Sequence, residues 1–320
     1  MQTEEKFIKT ENAGRIMDAS SQAVEKNGWL VVMGQPGTGK STIYQELIRF
    51  WKSYPNKFIL IETKSFKLVQ TRTNILMKRI IKAINPDEHA PGDIETRYEI
   101  LRNCLIDAYS RKKKVILLFD EAQDLNTVTF RELKKLHELN GMGKKNLFSI
   151  IMFAKSTVGF ESVFNNRELG HRIWVESMKQ TKPKEIFQIA EECFELKFKD
   201  TKDGNQAKSK FLEVIDGYPV TIEHIAGLLY RIPGFDGNVT VEAMRKSSFL
   251  KHKIDMEYYK ITQREIRDYL KAKGTPVSLG AINNTLNGVK SDERVESSLR
   301  EIIAQKQEAL GETPYMRKSA

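Results

Sequence analysis

Two uninterrupted apolar runs, Trp29-Leu30-Val31-Val32-Met33 and Val115-Ile116-Leu117-Leu118-Phe119, stand out along the chain. Runs of this length with polar flanks suit strands buried on both faces of a parallel sheet. Phe58-Ile59-Leu60-Ile61-Glu62-Thr63, Phe148-Ser149-Ile150-Ile151-Met152-Phe153 and the shorter Ile173-Trp174-Val175 add three strand candidates. Helical spacing fills the intervals. Ile8, Ile16, Ala19 and Val24 mark a lead-in helix that stops at Asn27-Gly28. Residues 42–50, 68–84, 94–110 and 127–140 read as further helices, with Leu68, Ile75, Leu76, Ile80 and Ile81 sharing a face of the 68–84 stretch. Strand and helix alternate through residue 175, the order that builds an α/β fold around a parallel sheet.

After residue 183 the apolar spacing is helical. Residues 184–230 read as helices broken at Thr201-Lys202-Asp203-Gly204-Asn205 and Asp216-Gly217-Tyr218-Pro219, and 241–259 as a helix or linker. Thr262-Gln263-Arg264-Glu265 has the form of a capping box. It opens a helix to Lys273, followed by a second through Ile282 and Leu286 and a third over 292–310. Two short helices around a tight turn, with Ser278, Asn283, Asn284 and Thr285 expected to be exposed, suit a helix-turn-helix that contacts DNA. The expected organisation is a helical lead-in (1–28), an α/β nucleotide-binding core (29–178), a helical lid (179–245), a C-terminal helical, helix-turn-helix-like domain (246–310) and a disordered tail (311–320).

Between the first strand and its helix stands Gly34-Gln35-Pro36-Gly37-Thr38-Gly39-Lys40-Ser41, which fits the phosphate-binding loop G-x-x-x-x-G-K-[ST] at every fixed position. Its glycines let backbone N–H groups turn inward around a phosphate chain, and the helix N-terminus adds partial positive charge. ATP is the expected ligand, held by residues 34–41 and Thr42. Lys40 is expected to reach the β- and γ-phosphates, and the Ser41 hydroxyl to ligate Mg²⁺.

The second carrier of chemistry is Asp120-Glu121, at the end of the 115–119 run. A carboxylate there, downstream of a phosphate loop, holds the metal, and its neighbour activates water. Asp120 is therefore assigned to Mg²⁺ and Glu121 to general base. Lys155 or Ser156, after the fourth strand, is the candidate for touching the γ-phosphate. Arg167 or Arg172, before the fifth, is the candidate arginine finger toward a neighbouring subunit's nucleotide.

A formal net charge of +10 and a pI near 9.3 favour a polyanionic partner, nucleic acid before a membrane surface. Cys104 and Cys193 lie far apart in helix-like stretches, as expected of buried thiols in a reducing cytoplasm. No apolar run is long enough to span a bilayer.

The phosphate loop together with Asp120-Glu121-Ala122-Gln123-Asp124-Leu125 resembles AAA+ ATPases of the transposition branch, the MuB-, TnsC-, TniB- and ExeA-like proteins. The stretch from Arg167 to Ile173 is similar to that branch's arginine-bearing segment. Ser278-Leu279-Gly280-Ala281-Ile282-Asn283-Asn284 and Asn287 to Val295 resemble the small DNA-binding domain of MuB, there at the N-terminus and here at the C-terminus. The resemblance implies a P-loop AAA+ sheet with a helical lid, ATP hydrolysis stimulated by the partner, and homo-oligomers, as rings or filaments. It also implies binding to double-stranded DNA with little sequence preference, and a transposase as partner. Lys64, Lys67 and Arg72 after the second strand, and Arg131, Lys134 and Lys135 after the DEAQ sextet, are the candidate DNA-phosphate contacts. One departure stands out. Val220 in Gly217-Tyr218-Pro219-Val220 occupies the place of the lid arginine found in many AAA+ proteins. A replication-initiator or helicase-loader-like ATPase and an ATP-gated protein scaffold are the alternatives.

Overall fold

A computed structural model describes residues 6–63, 73–164, 172–215, 217–246, 256, 259–286 and 292–310. The candidate contacts Lys64, Lys67 and Arg72, the finger candidate Arg167 and the segment 287–291 lie outside the described residues. The chain divides into two compact units, residues 9–179 and residues 180–320 with 1–8.

The first unit contains α1 (Glu11–Glu25), β1 (Trp29–Gly34), α2 (Lys40–Lys52), β2 (Phe58–Thr63), α3 (Thr73–Ile84), α4 (Ile94–Ser110) and β3 (Lys114–Phe119). A 3₁₀ turn (Ala122–Asp124), α5 (Thr127–His137), β4 (Asn140–Gly141), β5 (Lys144–Lys145), β6 (Ser149–Lys155), α6 (Val158–Phe164) and β7 (Ile173–Ser177) follow. All five expected strands form one sheet in the order β2-β3-β6-β1-β7, and every neighbouring pair is parallel. Chain order reverses at β1, which pairs with β6 on one side and β7 on the other. Ligands of open parallel sheets bind beyond the strands' carboxyl ends at such a switch point, and the phosphate loop leaves β1 there.

The continuous apolar runs are buried as the pattern requires: Val31, Leu117, Phe119, Ile150 and Met152 share one core with Leu76 and Ile80 of α3, Leu101 of α4 and Phe130 of α5. Helix α1 starts at Thr10, whose hydroxyl accepts from Ala13 N–H, and it clasps the edge strand. Arg15 bonds Glu176 and the Ser177 carbonyl, while Asn12 exchanges two hydrogen bonds with Lys179.

The 127–140 helix stops at His137, and a two-residue hairpin, β4–β5, occupies the space before β6. The periodicity continues through Leu139, but Gly141 and Gly143 favour a turn over a helix. Gly141 is required by space: a Cβ there would meet Ile106 Cγ1 at 2.6 Å.

The second unit holds α7 (Pro183–Phe194), α8 (Lys202–Ile215), α9 (Pro219–Leu229) and α10 (Val241–Lys246) around Ala190, Phe211, Ile222, Ile225 and Leu229. Three further helices, α11 (Gln263–Ala272), α12 (Leu279–Leu286) and α13 (Glu293–Ala309), close on Ile266, Leu270, Ile282, Val295 and Leu299. Thr262 caps α11 by accepting from Glu265 N–H, one half of the expected capping box; the Glu265 carboxylate pairs instead with Lys306 at 3.0 Å. Thr285 is not exposed as expected; it is buried, and its hydroxyl donates to the Ala281 carbonyl. One helical turn from Ile282 and beside Leu286, it falls on the apolar face of α12. Cys104 is buried and Cys193 half-buried, and both are free thiols. Among the described residues no helix is long and apolar enough to cross a membrane.

Candidate nucleotide site

The carboxyl ends of β1, β3 and β6 bring the candidate residues together. Gly34, the last residue of β1, stands opposite Lys155, the last of β6. Asp120 follows β3, and its N–H donates to the Thr63 carbonyl at the end of β2, 3.3 Å away. Residues assigned from separate parts of the sequence therefore share one end of the sheet.

The loop is shaped for an anion. Gly37 and Gly39 have φ of 82° and 87°, which a Cβ disfavours. Gly39 is the N-cap of α2 and supplies no side-chain cap, and the first turn of α2 carries no acidic residue. The backbone donors of that turn thus face no carboxylate of their own helix. Gly34 is needed for space: a Cβ would meet Thr38 Oγ1 at 2.9 Å and Met178 Cβ at 3.0 Å. Thr38 in turn closes the loop by donating to the Gln35 carbonyl at 2.8 Å.

Lys40 folds back on its own loop, donating to the carbonyls of Gly34 (2.7 Å) and Gln35 (2.8 Å). Burial lowers its pKa to about 8. Glu121 and Asp120 oppose that shift, and Lys155 adds to it. Lys40 thus sits in the field of both carboxylates and the second lysine, a cluster matched to a polyphosphate.

The Ser41 hydroxyl is exposed at the first turn of α2 and Asp120 is half-buried. Near Asp120, the hydroxyls of Tyr44 and Thr63 are buried without a hydrogen-bond partner among the described residues. Burial raises the Tyr44 pKa, and Asp120 and Glu62 raise it further. Orphaned buried hydroxyls around a carboxylate fit a site that receives polar ligands. Among the described residues no group of three His, Cys, Asp or Glu side chains could hold a metal. Ser41 and Asp120 instead suit Mg²⁺, which is usually held by few protein oxygens along with phosphates and water.

Glu121 adopts a left-handed conformation (φ 51°), and its N–H donates to Asp120 Oδ1 at 3.0 Å. Such a conformation costs a non-glycine residue roughly 1–2 kcal/mol. Gln123 steadies it, in a role that sequence reasoning missed. Its Nε2 donates to Glu121 Oε2 at 2.6 Å while its Oε1 accepts from Lys155 N–H at 2.9 Å. Only the short spacing of Gln123 from Glu121 was visible in the sequence; the link to β6 is made 32 residues away.

The Ser156 hydroxyl donates to the Glu161 carboxylate in the first turn of α6. Arg172 pairs with Glu138 beside the amino end of β7, and Glu176 pairs with Arg15. On α5, Arg131 is exposed and Lys135 pairs with Glu132 at 3.1 Å. Lys134 is half-buried on the same helix.

No curated protein sequence matches the chain. Solved structures do. The ORC2 protein of Aeropyrum pernix in its ADPNP-ADP complexes is 12% identical with a TM-score of 0.55, covering 98% of this chain and 84% of that one. The ADP form of the same protein is 12% identical with a TM-score of 0.53, covering 95% and 87%. The Aeropyrum pernix ORC1 protein in complex with DNA is 15% identical with a TM-score of 0.52, covering 96% and 85%. At these identities the likeness is one of fold, the P-loop parallel sheet of AAA+ proteins with helical units after it. Residues 24–159, which span the phosphate loop, Asp120, Glu121 and Lys155, match the family described as AAA domain.

Proposed function

We propose that this chain is an ATP-hydrolysing AAA+ switch that acts on double-stranded DNA in the manner of a replication initiator or helicase loader. The observation that carries the nucleotide half is the meeting of Lys40, Asp120, Glu121 and Lys155 at one end of the sheet. In this reading the N–H groups of residues 34–42 cradle the phosphates, and Lys40 exchanges its two loop carbonyls for phosphate oxygens. Ser41 and Asp120 would hold Mg²⁺, which would supply charge neutralisation for the phosphates. Glu121, aimed by Gln123, accepts a proton from the attacking water. Two facts support Lys155 over Ser156 as the γ-phosphate contact: Lys155 depresses the Lys40 pKa, and Ser156 is bonded to Glu161. Arg172 or Arg167 of a neighbouring copy completes the site, making ATP a bond between subunits. Val220 in place of a lid arginine fits slow turnover.

The DNA half draws support from similarity that runs over 96% of the chain to a protein solved on DNA, and from the three-helix unit α11–α13. A transposition role, with a transposase as partner, is the second reading; the resemblance of the DEAQ sextet to that branch favours it.

Electron microscopy and gel shift with duplex DNA test both readings. ATP-dependent complexes are expected, absent in Lys40→Ala and long-lived in Glu121→Gln. Small complexes at a defined site support the initiator reading, and continuous filaments on any sequence the transposition reading. DNA binding indifferent to ATP and to Lys40→Ala would refute the switch.

A further inference from the structure

Because all five strands of the main sheet are parallel, the segments leading into them lie along one edge of the sheet, opposite the nucleotide site. These segments are strongly basic. Lys57 precedes β2, Lys112 and Lys113 precede β3, Lys144 and Lys145 sit on the hairpin before β6, and Lys26 precedes β1. None of the six makes an ion pair with a described residue, although Lys57 lies over the Phe58 ring. The carboxylates nearby are already engaged: Glu25 with Lys114, Glu138 with Arg172, and Asp107 with Arg111. Helix dipoles account for a cation or so at each helix C-terminus, such as Lys26 after α1 and Arg111 after α4. They do not account for Lys112, Lys113, Lys144 and Lys145.

The hairpin is held in place. Arg102 Nε donates to the Asn140 carbonyl at 3.0 Å, Asn27 Nδ2 donates to the Asn146 carbonyl at 2.9 Å, and Gly141 lies against Ile106. Lys144 and Lys145 therefore project from a fixed backbone, with Met142 exposed between strands β4 and β5. From β2 to β7 the edge spans four inter-strand gaps, about 19 Å. Along that length a DNA duplex presents about eleven phosphates.

We infer that this lysine edge is a docking surface for the phosphate backbone of duplex nucleic acid, separate from the ATP site. Its segments are short turns with no amphipathic helix to lie in a bilayer, which favours a stiff polyanion over a lipid surface. The inference rests on the DNA-acting reading above and supplies it with a surface.

The test measures fluorescence anisotropy of the full chain on a random-sequence 30-base-pair duplex from about 50 to 200 mM salt. The variant is Lys112→Gln/Lys113→Gln/Lys144→Gln/Lys145→Gln. The control neutralises four exposed lysines of the other unit, Lys184, Lys197, Lys199 and Lys202. The edge variant is expected to bind at least tenfold more weakly at the lowest salt, with a log–log salt slope shallower by about 3 to 4. The control should match wild type. Binding of a fluorescent ATP analogue certifies the fold, since the edge lies about 17 Å from the phosphate loop along the strands. If the quadruple variant does not fold, each paired variant (112/113 or 144/145) should lower the slope by about 2. An edge variant with wild-type affinity and slope would overturn the inference and leave the DNA-acting reading standing. A wild-type chain that ignores duplex at the lowest salt would end both. Binding to phosphatidylserine vesicles but not to duplex would reassign the edge to membranes.

Discussion

Gln123 joins the proposed base to the strand that ends beside the phosphate loop, and this linkage can be broken one bond at a time. Gln123→Glu keeps an acceptor for the Lys155 N–H but cannot donate to Glu121, and places like charges together. Gln123→Leu removes both bonds. A hydrogen bond to a charged group is worth about 1.5–3 kcal/mol. If that energy serves to hold Glu121 in its strained, left-handed conformation, its loss should slow hydrolysis roughly 10- to 150-fold. ATP affinity should stay within about threefold, because Gln123 bonds neither the phosphate loop nor α2. Single-turnover hydrolysis and titration with a fluorescent ATP analogue read the two quantities separately. In a double-mutant cycle, adding Gln123→Leu to Glu121→Gln should change little, since one residue acts through the other. Wild-type turnover by Gln123→Glu, or a loss of rate fully explained by weaker ATP binding, would refute the positioning role.

Two further outcomes follow from the loop. Burial holds the folded pKa of Lys40 near 8, below its ordinary 10.5, and a bound triphosphate needs the charged form. ATP affinity should therefore fall about tenfold from pH 7 to pH 9, with Lys40→Arg removing the dependence; a flat wild-type profile would contradict the assignment. The stability of the nucleotide-free protein should move the other way. Between pH 8 and 10.5 the unfolded chain binds the lysine proton more readily than the folded one, so the Lys40 contribution to stability rises with pH across that window and is constant below it. Gly34→Ala should cost about 1–3 kcal/mol by crowding Thr38 and Met178, read as a lowered denaturant midpoint together with weaker ATP binding. An unchanged midpoint would show that the loop shifts at no cost.

What the sequence makes legible here is what periodicity and local spacing encode. The three central strands announce themselves because both faces are buried, so no polar alternation interrupts Val115 to Phe119 or Trp29 to Met33. The phosphate loop and Asp120-Glu121 are equally plain, since their chemistry needs neighbouring residues. The hairpin Asn140–Lys145 is hidden because apolar spacing at helical period runs on through Leu139, and the turn is selected by Gly141 against Ile106 together with the left-handed Gly143. Thr285 misleads for the opposite reason: a polar residue can lie on an apolar face when its hydroxyl is satisfied within its own helix. Gln123 and the lysine edge belong to a third class. The bond from Gln123 to Lys155 and the alignment of Lys57, Lys112 and Lys144 depend on strand order, which no local pattern contains. A parallel sheet sorts its connections by direction: segments leaving the strands gather at one edge and segments leading into them at the other. In this chain the outgoing edge collects the acids and lysines of the candidate nucleotide site, and the incoming edge collects lysines such as Lys112, Lys113, Lys144 and Lys145 that form no ion pair among the described residues. Two chemistries that interleave along the sequence are thereby separated in space. If both edges act in this way, ATP and DNA meet the same sheet from opposite ends, and their coupling passes through the strands, through crossover segments such as α5, which runs from the 120–123 turn to the hairpin, or through contacts between subunits.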